Sequence, residues 1–534
     1  MKNAGSMIEQ GLTALGIELG STRIKAVLTG EDCLPLASGS YDWENRFENG
    51  VWTYSLDDAW AGIRAVLREL AGSVKTKYGV ELRATGSIGI SGMMHGYLVF
   101  DSEGRQLVPF RTWRNTITAQ AAEILSDQFC FCIPQRWSVA HLYQAVLNRE
   151  PHVAEIAFIT TLSGYIHWRL SGERVLGIGD ASGMFPIDSE KLDYNAEMLA
   201  AFDKLAAGNG FTQRLSALLP RTLNAGEHAG ALTEEGARLL SPDGILKPGI
   251  PMCPPEGDAG TGMVATNSIR PKTGSVSTGT SAFVMIVMES ELSKVYRQIN
   301  IVTTPSGNPV ALVQCNNCTG DLDAWVKLFG EFGAMTGAEI SKPAIYDMLY
   351  SAAMQGNVEQ SGLLMYNYYS GEHLTGIEQG RPLLVRTSDS RFTVPNLMRT
   401  ILFSSIATLK IGLDILTRSE NVALEKMMGH GGLFKTKDIG QIFMASALNV
   451  PVAVMESAGE GGAWGIALLA AYMARKHDGQ TLADFLEQNA FANMQSSSVN
   501  PDASIARDFD MYMRRYRDGL DIERAAVEHL IMEQ

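Results

Sequence analysis

Two stretches of this chain share one plan, and that repetition constrains the fold more than any other feature. Residues 16–28, "GIELGSTRIKAVL", read as strand, Gly-Ser-Thr turn, strand, and residues 274–288, "GSVSTGTSAFVMIVM", repeat the plan about half a chain-length later. A turn rich in Gly, Ser and Thr offers backbone N–H groups and hydroxyls in a concave nest, because glycine permits close approach and positive φ. Two such hairpins, one per half, are suited to clasp a polyphosphate. At 534 residues the chain is also too long for one ordinary core.

Between the hairpins the first half alternates strand-like and helix-like segments. Residues 55–79 have helical periodicity behind a Ser/Asp start, residues 85–101 are β-rich and punctuated by glycine, and residues 180–188 read as a loop into a short strand. This alternation predicts α/β layers. The second half is more helical: residues 394–417 and 436–450 form amphipathic helices, and residues 459–476 form an apolar helix that starts with glycines. The sequence places the domain boundary between Asp258 and Pro271.

Composition removes several function classes. With 46% hydrophobic and 19% charged residues the chain is a compact globule rather than a disordered one. A net charge of −14, with no long block of like charge, argues against a nucleic acid or a membrane surface as partner. The longest nearly apolar run, residues 461–474, is shorter than the roughly 18 to 20 residues a bilayer span needs. Residues 1–10 hold no apolar signal core, so a cytoplasmic enzyme is expected. Of the six cysteines, Cys315 and Cys318 have the spacing of a metal pair, but no second CxxC or His pair completes a zinc site, and both are expected to be buried thiols.

In order, "GIELGSTRIKAVL", "SGMMHGYLVFD", "GDAGTGMVATNSI", "SVSTGTSAFV", "GHGGLFKTKDIGQIFMASALNVPV" and "GEGGAWGIALLAA" form a set that resembles the FGGY carbohydrate kinases, a family of xylulo-, ribulo-, glucono- and glycerol kinases. The resemblance implies the actin-like ATPase fold, a duplicated ribonuclease-H-like α/β fold with two domains flanking a cleft. It assigns sugar binding to an N-terminal domain, 12–265, and nucleotide binding to a C-terminal domain, 266–534. It implies an ATP- and Mg²⁺-dependent kinase of a small sugar, expected to be a ketopentose such as L-ribulose or xylulose. A homodimer is the assembly to test.

The same resemblance assigns residues. Asp258 becomes the general base that accepts the sugar hydroxyl proton, and with Glu18, which stands where relatives carry aspartate, it faces magnesium. Gly20, Ser21, Thr22 and Lys25 meet the γ-phosphate, Gly279 and Thr280 meet the phosphates, Gly431 and Gly432 lie against adenine, and Gly461 and Gly462 close the nucleotide pocket. Met94, His95, Trp113 and Asn115 line the sugar pocket. Asn115 replaces a family aspartate, so it can donate as well as accept hydrogen bonds. Residues 180–183, "DASG", hold the pocket wall. The alternatives are a kinase of another polyol or a sugar acid, and a non-catalytic actin-fold sensor of sugar or nucleotide. A sensor has no need of the base that Asp258 supplies.

Overall fold

The computed structural model describes residues 4–359, 361–436, 438–455, 461–492, 494 and 496–530. The chain divides into two compact units: Met1–Arg270, Asn300–Val310 and Gly459–Met494 form the first, and Pro271–Ile299, Ala311–Ala458 and Gln495–Gln534 form the second. The main division therefore falls at 270/271. The sequence-derived C-terminal half, 266–534, is not one continuous unit, because the apolar helix Gly461–Arg475 belongs to the first.

In the first unit, the strand Ala14–Leu19 runs antiparallel to Arg23–Thr29 and parallel to Ser87–Gly92, and Glu256–Gly257 and Pro35–Asp42 complete a five-stranded sheet at its edges. Both faces of the sheet are covered: Gly461–Arg475 packs on the central strand, Leu56–Tyr78 packs on its neighbours Arg23–Thr29 and Pro35–Asp42, and Leu15, Ile17 and Leu19 join the same core as Ile63 and Leu67. The helix Leu56–Tyr78 has the expected ends: the Ser55 hydroxyl accepts the Asp58 N–H, Asp57 and Asp58 lie in the first turn, and Gly79 stops it in the left-handed region. Trp60, Ile63, Leu67, Leu70 and Val74 form its buried stripe.

The second unit repeats the arrangement. Thr273–Thr278 pairs antiparallel with Ala282–Val287 and parallel with Lys426–Gly431, and Val452–Met455 extends the sheet in parallel. Each half thus has the antiparallel hairpin that the repeated motif predicts, and in each the first strand also takes a distant parallel neighbour. Two details differ from the sequence reading. Ile178–Ala181 is a helical turn rather than a loop, because Glu256 accepts the N–H groups at its start. Among the described residues, Val394–Ser419 rather than residues 461–474 is the helix long and apolar enough to cross a membrane, and 78% of its most apolar 18-residue stretch is buried inside the protein.

Candidate active site

The first hairpin presents its turn in one particular orientation. The Gly20 carbonyl accepts the Trp43 indole N–H at 2.7 Å, the Ser21 carbonyl accepts the Tyr54 hydroxyl at 2.6 Å, and the Thr22 carbonyl accepts the Trp43 backbone N–H at 3.1 Å. The Gly20 N–H closes the hairpin on the Arg23 carbonyl at 3.0 Å, and with three consecutive carbonyls held from behind, the N–H groups and hydroxyls of Ser21 and Thr22 are left to meet an anion. Lys25 lies opposite Glu18 across the hairpin.

Glu18 is tied to a helix end. Its Oε2 accepts the Ala463 N–H at 3.1 Å, in the first turn of Gly461–Arg475, where the helix dipole favours negative charge. Burial and then the Asp258 charge push its pKa up to about 7, against the opposing Ala463 N–H and Lys25. Gly461 and Gly462 lie against this carboxylate in the first unit: a Cβ on Gly462 would stand 2.3 Å from Glu18 Oε1. Glu18, a partner more than 440 residues away, leaves no room for a side chain at Gly462, whereas Gly461 is held to glycine by its φ of 59°.

Asp258 opens the helix Asp258–Ala265 and its Oδ1 accepts the Met94 N–H at 3.2 Å. Burial raises its pKa against the N–H groups of Met94 and Ala259. Behind it lie two carboxylates that motif reading does not reveal as a pair. Asp180 is fully buried, with Oδ2 accepting the hydroxyls of Thr161 (2.7 Å) and Ser163 and with Oδ1 unpartnered among the described residues. Glu256 accepts the N–H groups of Gly179 (3.2 Å) and Asp180 (2.9 Å). Burial is the main cause that lifts Asp180 to about 7 and Glu256 to about 8.

This cluster sets a pH dependence of stability. Glu18, Asp180 and Glu256 keep their protons in the folded protein to about 7, 7 and 8 but lose them near 4.5, 3.8 and 4.5 when unfolded, so between these limits rising pH costs stability. His95, His141 and His167, lowered by burial to about 3, 3 and 4, act in the opposite sense up to their unfolded value of 6.5. Above that value only the carboxylates act. The two sets nearly cancel around pH ~5.5, and the ligand-free protein should lose melting temperature as pH rises from ~6 to ~8, with Glu256→Gln shortening the descent. A melting temperature flat over this range at constant ionic strength would show that these carboxylates ionise freely.

Met94 is 5% exposed and forms an apolar wall beside Gly257 and Gly183. His95 adopts a left-handed φ of 70°, its Nδ1 lies 3.1 Å from the Gly183 carbonyl, and its ring stacks on Trp137 at 6.3 Å. Burial and then the Arg136 charge keep the imidazole neutral, so Nδ1 donates to Gly183 and Nε2 is left as an acceptor. Trp113 is 38% exposed. Asn115 does not present its amide to a pocket. Its Oδ1 accepts the Trp52 N–H at 2.9 Å, and its Nδ2 donates to the carbonyls of Trp52 (2.8 Å) and Thr112 (3.0 Å). The residue is a latch on the Trp52 backbone, a two-way pairing that an ionised aspartate, accepting only, would be unable to make.

The second hairpin shows the same polarity as the first. The Gly279 carbonyl accepts the Thr319 N–H (2.9 Å) and hydroxyl (2.7 Å), and the Thr280 carbonyl accepts the Cys318 N–H (2.8 Å). Gly279, Thr280 and Ser281 are exposed at the tip. Cys318 thus contributes its backbone, while burial pushes its thiol up to about 12 and that of Cys315 above the usual range, so both stay protonated. Gly431 has φ 106° and ψ −167°, a conformation only glycine adopts readily, and a Cβ there would stand 2.0 Å from the Thr278 carbonyl. Gly432 lines a pocket of about 400 Å³ with Thr319, Leu322, Lys342, Pro343 and Tyr346, within the range of small-molecule sites. The wall from 342 to 346 carries no motif and was legible only in three dimensions.

Comparison with known proteins decides the family. The N-terminal domain of the FGGY family of carbohydrate kinases matches residues 13–265, and the C-terminal domain of that family matches residues 274–474. The chain belongs to the FGGY family of carbohydrate kinases. It is 23% identical over 440 residues to the xylulose kinase of Haemophilus influenzae, covering 80% of this chain and 83% of that protein. Its fold matches the crystal structure of xylulose kinase from Rhodospirillum rubrum with TM-score 0.78 at 20% identity, over 96% of this chain and 98% of the other. Gluconate kinase from Lactobacillus acidophilus matches with TM-score 0.76 at 15% identity, again over 96% and 98%. This FGGY protein is an ATP-dependent carbohydrate kinase with the actin-like fold.

Proposed function

We propose that this FGGY kinase transfers the γ-phosphate of ATP to a hydroxyl of a small sugar or sugar derivative, with Asp258 as general base. The observation that carries the reading is the Asp258 carboxylate. It is oriented through the Met94 N–H at 3.2 Å, made more basic by burial, and set beside the Met94–His95 wall. Held so, it accepts the hydroxyl proton as oxygen attacks phosphorus. The Gly20–Ser21–Thr22 turn with Lys25, and the Gly279–Thr280 turn, would each meet phosphate oxygens through the hydroxyls and N–H groups of Ser21, Thr22 and Thr280, since the Gly20 and Gly279 N–H groups close their own hairpins. Gly431, Gly432 and the Tyr346-lined pocket would take the adenosine.

Magnesium fits this site. Glu18 and Asp258 are close enough for the charge of one to raise the pKa of the other, a repulsion a divalent cation relieves. No group of three or more ligating side chains occurs among the described residues, and Mg²⁺ needs only one or two protein carboxylates beside its waters. Bound with the nucleotide, it would offset the charge of the β- and γ-phosphates. The reading includes a cytoplasmic location, where ATP is supplied.

Xylulose kinases among the relatives make ketopentoses the first acceptors to assay, and the likeness to a gluconate kinase puts sugar acids beside them. The test is ADP release with ATP and Mg²⁺ across ketopentoses, polyols and sugar acids. At least one acceptor should raise the rate on the order of 10²-fold or more over the acceptor-free rate. No acceptor dependence across the panel would remove the kinase reading and leave the sensor.

A further inference from the structure

One charge beside the sugar-side wall has no counterpart in the protein. Arg136 is half-buried just ahead of the helix Ser138–Leu147, and its guanidinium makes no hydrogen bond or ion pair with any described residue. The buried Arg111 and Arg399 are each paired with a carboxylate, Glu150 and Asp508. In a chain with 58 acidic residues against 44 basic ones, no described carboxylate is set against Arg136. A sheltered, unpaired charge is costly to maintain, and a guanidinium fork matches a carboxylate with two parallel hydrogen bonds.

Its place in the fold points toward the substrate. The Arg136 carbonyl accepts the Gly96 N–H at 2.9 Å, and its charge acts on the His95 ring. Two residues earlier on the same segment, the Met94 N–H holds Asp258. The backbone of Arg136 and the carboxylate of Asp258 are therefore held by N–H groups two residues apart on one segment, Gly96 and Met94. The Arg136 charge and the Asp258 carboxylate thus both belong to the surroundings of the Met94–His95 wall, where two ends of one acceptor can be held.

We propose that Arg136 receives the carboxylate of a sugar acid, so that the phosphoryl acceptor is a polyhydroxy acid whose distant hydroxyl faces Asp258. The inference rests on the kinase reading of that site and selects its substrate class. In the transfer the bond from the γ-phosphorus to ADP breaks, a bond from the hydroxyl oxygen to phosphorus forms, and the hydroxyl proton passes to Asp258. The carboxylate takes no part in bond making and anchors the far end.

The test compares matched acceptors: D-gluconate and the pentonates, the alditols of the same carbon skeletons, and xylulose and ribulose, each with the wild type, Arg136→Gln and Arg136→Lys. One acid should exceed its alditol in kcat/KM on the order of 10²-fold. Arg136→Gln should raise KM for that acid by a similar factor with kcat changed only a few-fold, and Arg136→Lys should recover part of the loss. A neutral sugar as best acceptor, with kcat/KM unchanged in Arg136→Gln, overturns the carboxylate assignment and leaves the kinase reading intact. Absence of acceptor-dependent ADP release with every compound overturns the kinase reading and the assignment with it. Should the variants misfold, calorimetry on the wild type decides: equal affinity for an acid and its alditol overturns the proposal.

Discussion

Asp258→Asn should lower kcat by about 10²- to 10⁴-fold while leaving KM for sugar and ATP within a few-fold. The substitution keeps the shape of the side chain, and the amide oxygen can still accept the Met94 N–H, so the local fold is retained. What disappears is the ability to accept a proton. The loss should therefore fall on kcat, the signature of an interaction used only as the bond to phosphorus forms. The check is steady-state kinetics at saturating ATP together with a melting curve. A loss under about tenfold with the fold intact would assign the base elsewhere, and Asp180, with its unpartnered Oδ1, would be the next residue to replace.

Gly462→Ala should cost about 1–3 kcal/mol of stability and most of the activity. On helix propensity alone the change would be favourable by about 1 kcal/mol, because Gly462 lies in the first turn of Gly461–Arg475. The added Cβ, however, would stand 2.3 Å from Glu18 Oε1 and 2.8 Å from Thr261 Oγ1. Something must move, and the freest group is the Glu18 carboxylate, which would leave its bond to the Ala463 N–H. Glu18→Asp withdraws that carboxylate by one methylene, so it should restore part of the stability lost in Gly462→Ala. Thermal unfolding of both single variants and the double variant measures the coupling, and strictly additive effects would show that the two residues do not meet.

The roles of Glu18 and of the helix-opening glycines illustrate where motif reading stops. Glycine at 461 and 462 looks like a ligand-approach signal, and only the fold shows that Gly462 has a carboxylate from the first strand as its close neighbour. Asn115 stands at a motif position and was expected to face sugar, but the backbone at Trp52 consumes both ends of its amide. The Asp180–Glu256 pair joins residues 76 apart in sequence through backbone N–H groups, a link with no signature in side-chain spacing. Arg136 is informative through having no carboxylate set against it among the described residues, and an absent neighbour is a property of three dimensions.

What the sequence determined by itself were the local features. Turn chemistry at Gly20–Thr22 and Gly279–Ser281, the Ser55 cap and Gly79 stop, and the apolar periodicity between them depend on interactions a few residues long, so the duplicated α/β plan and the family could be read directly. Tertiary structure decided the unit to which Gly461–Arg475 belongs, the turning of hairpin carbonyls onto Trp43, Tyr54 and Thr319, and the burial that makes Asp258, Asp180 and Glu256 reluctant to ionise. The physical reason is range. Backbone preference acts between chain neighbours, whereas desolvation and charge repulsion depend on whichever residues the fold brings close, however far apart they lie in the chain.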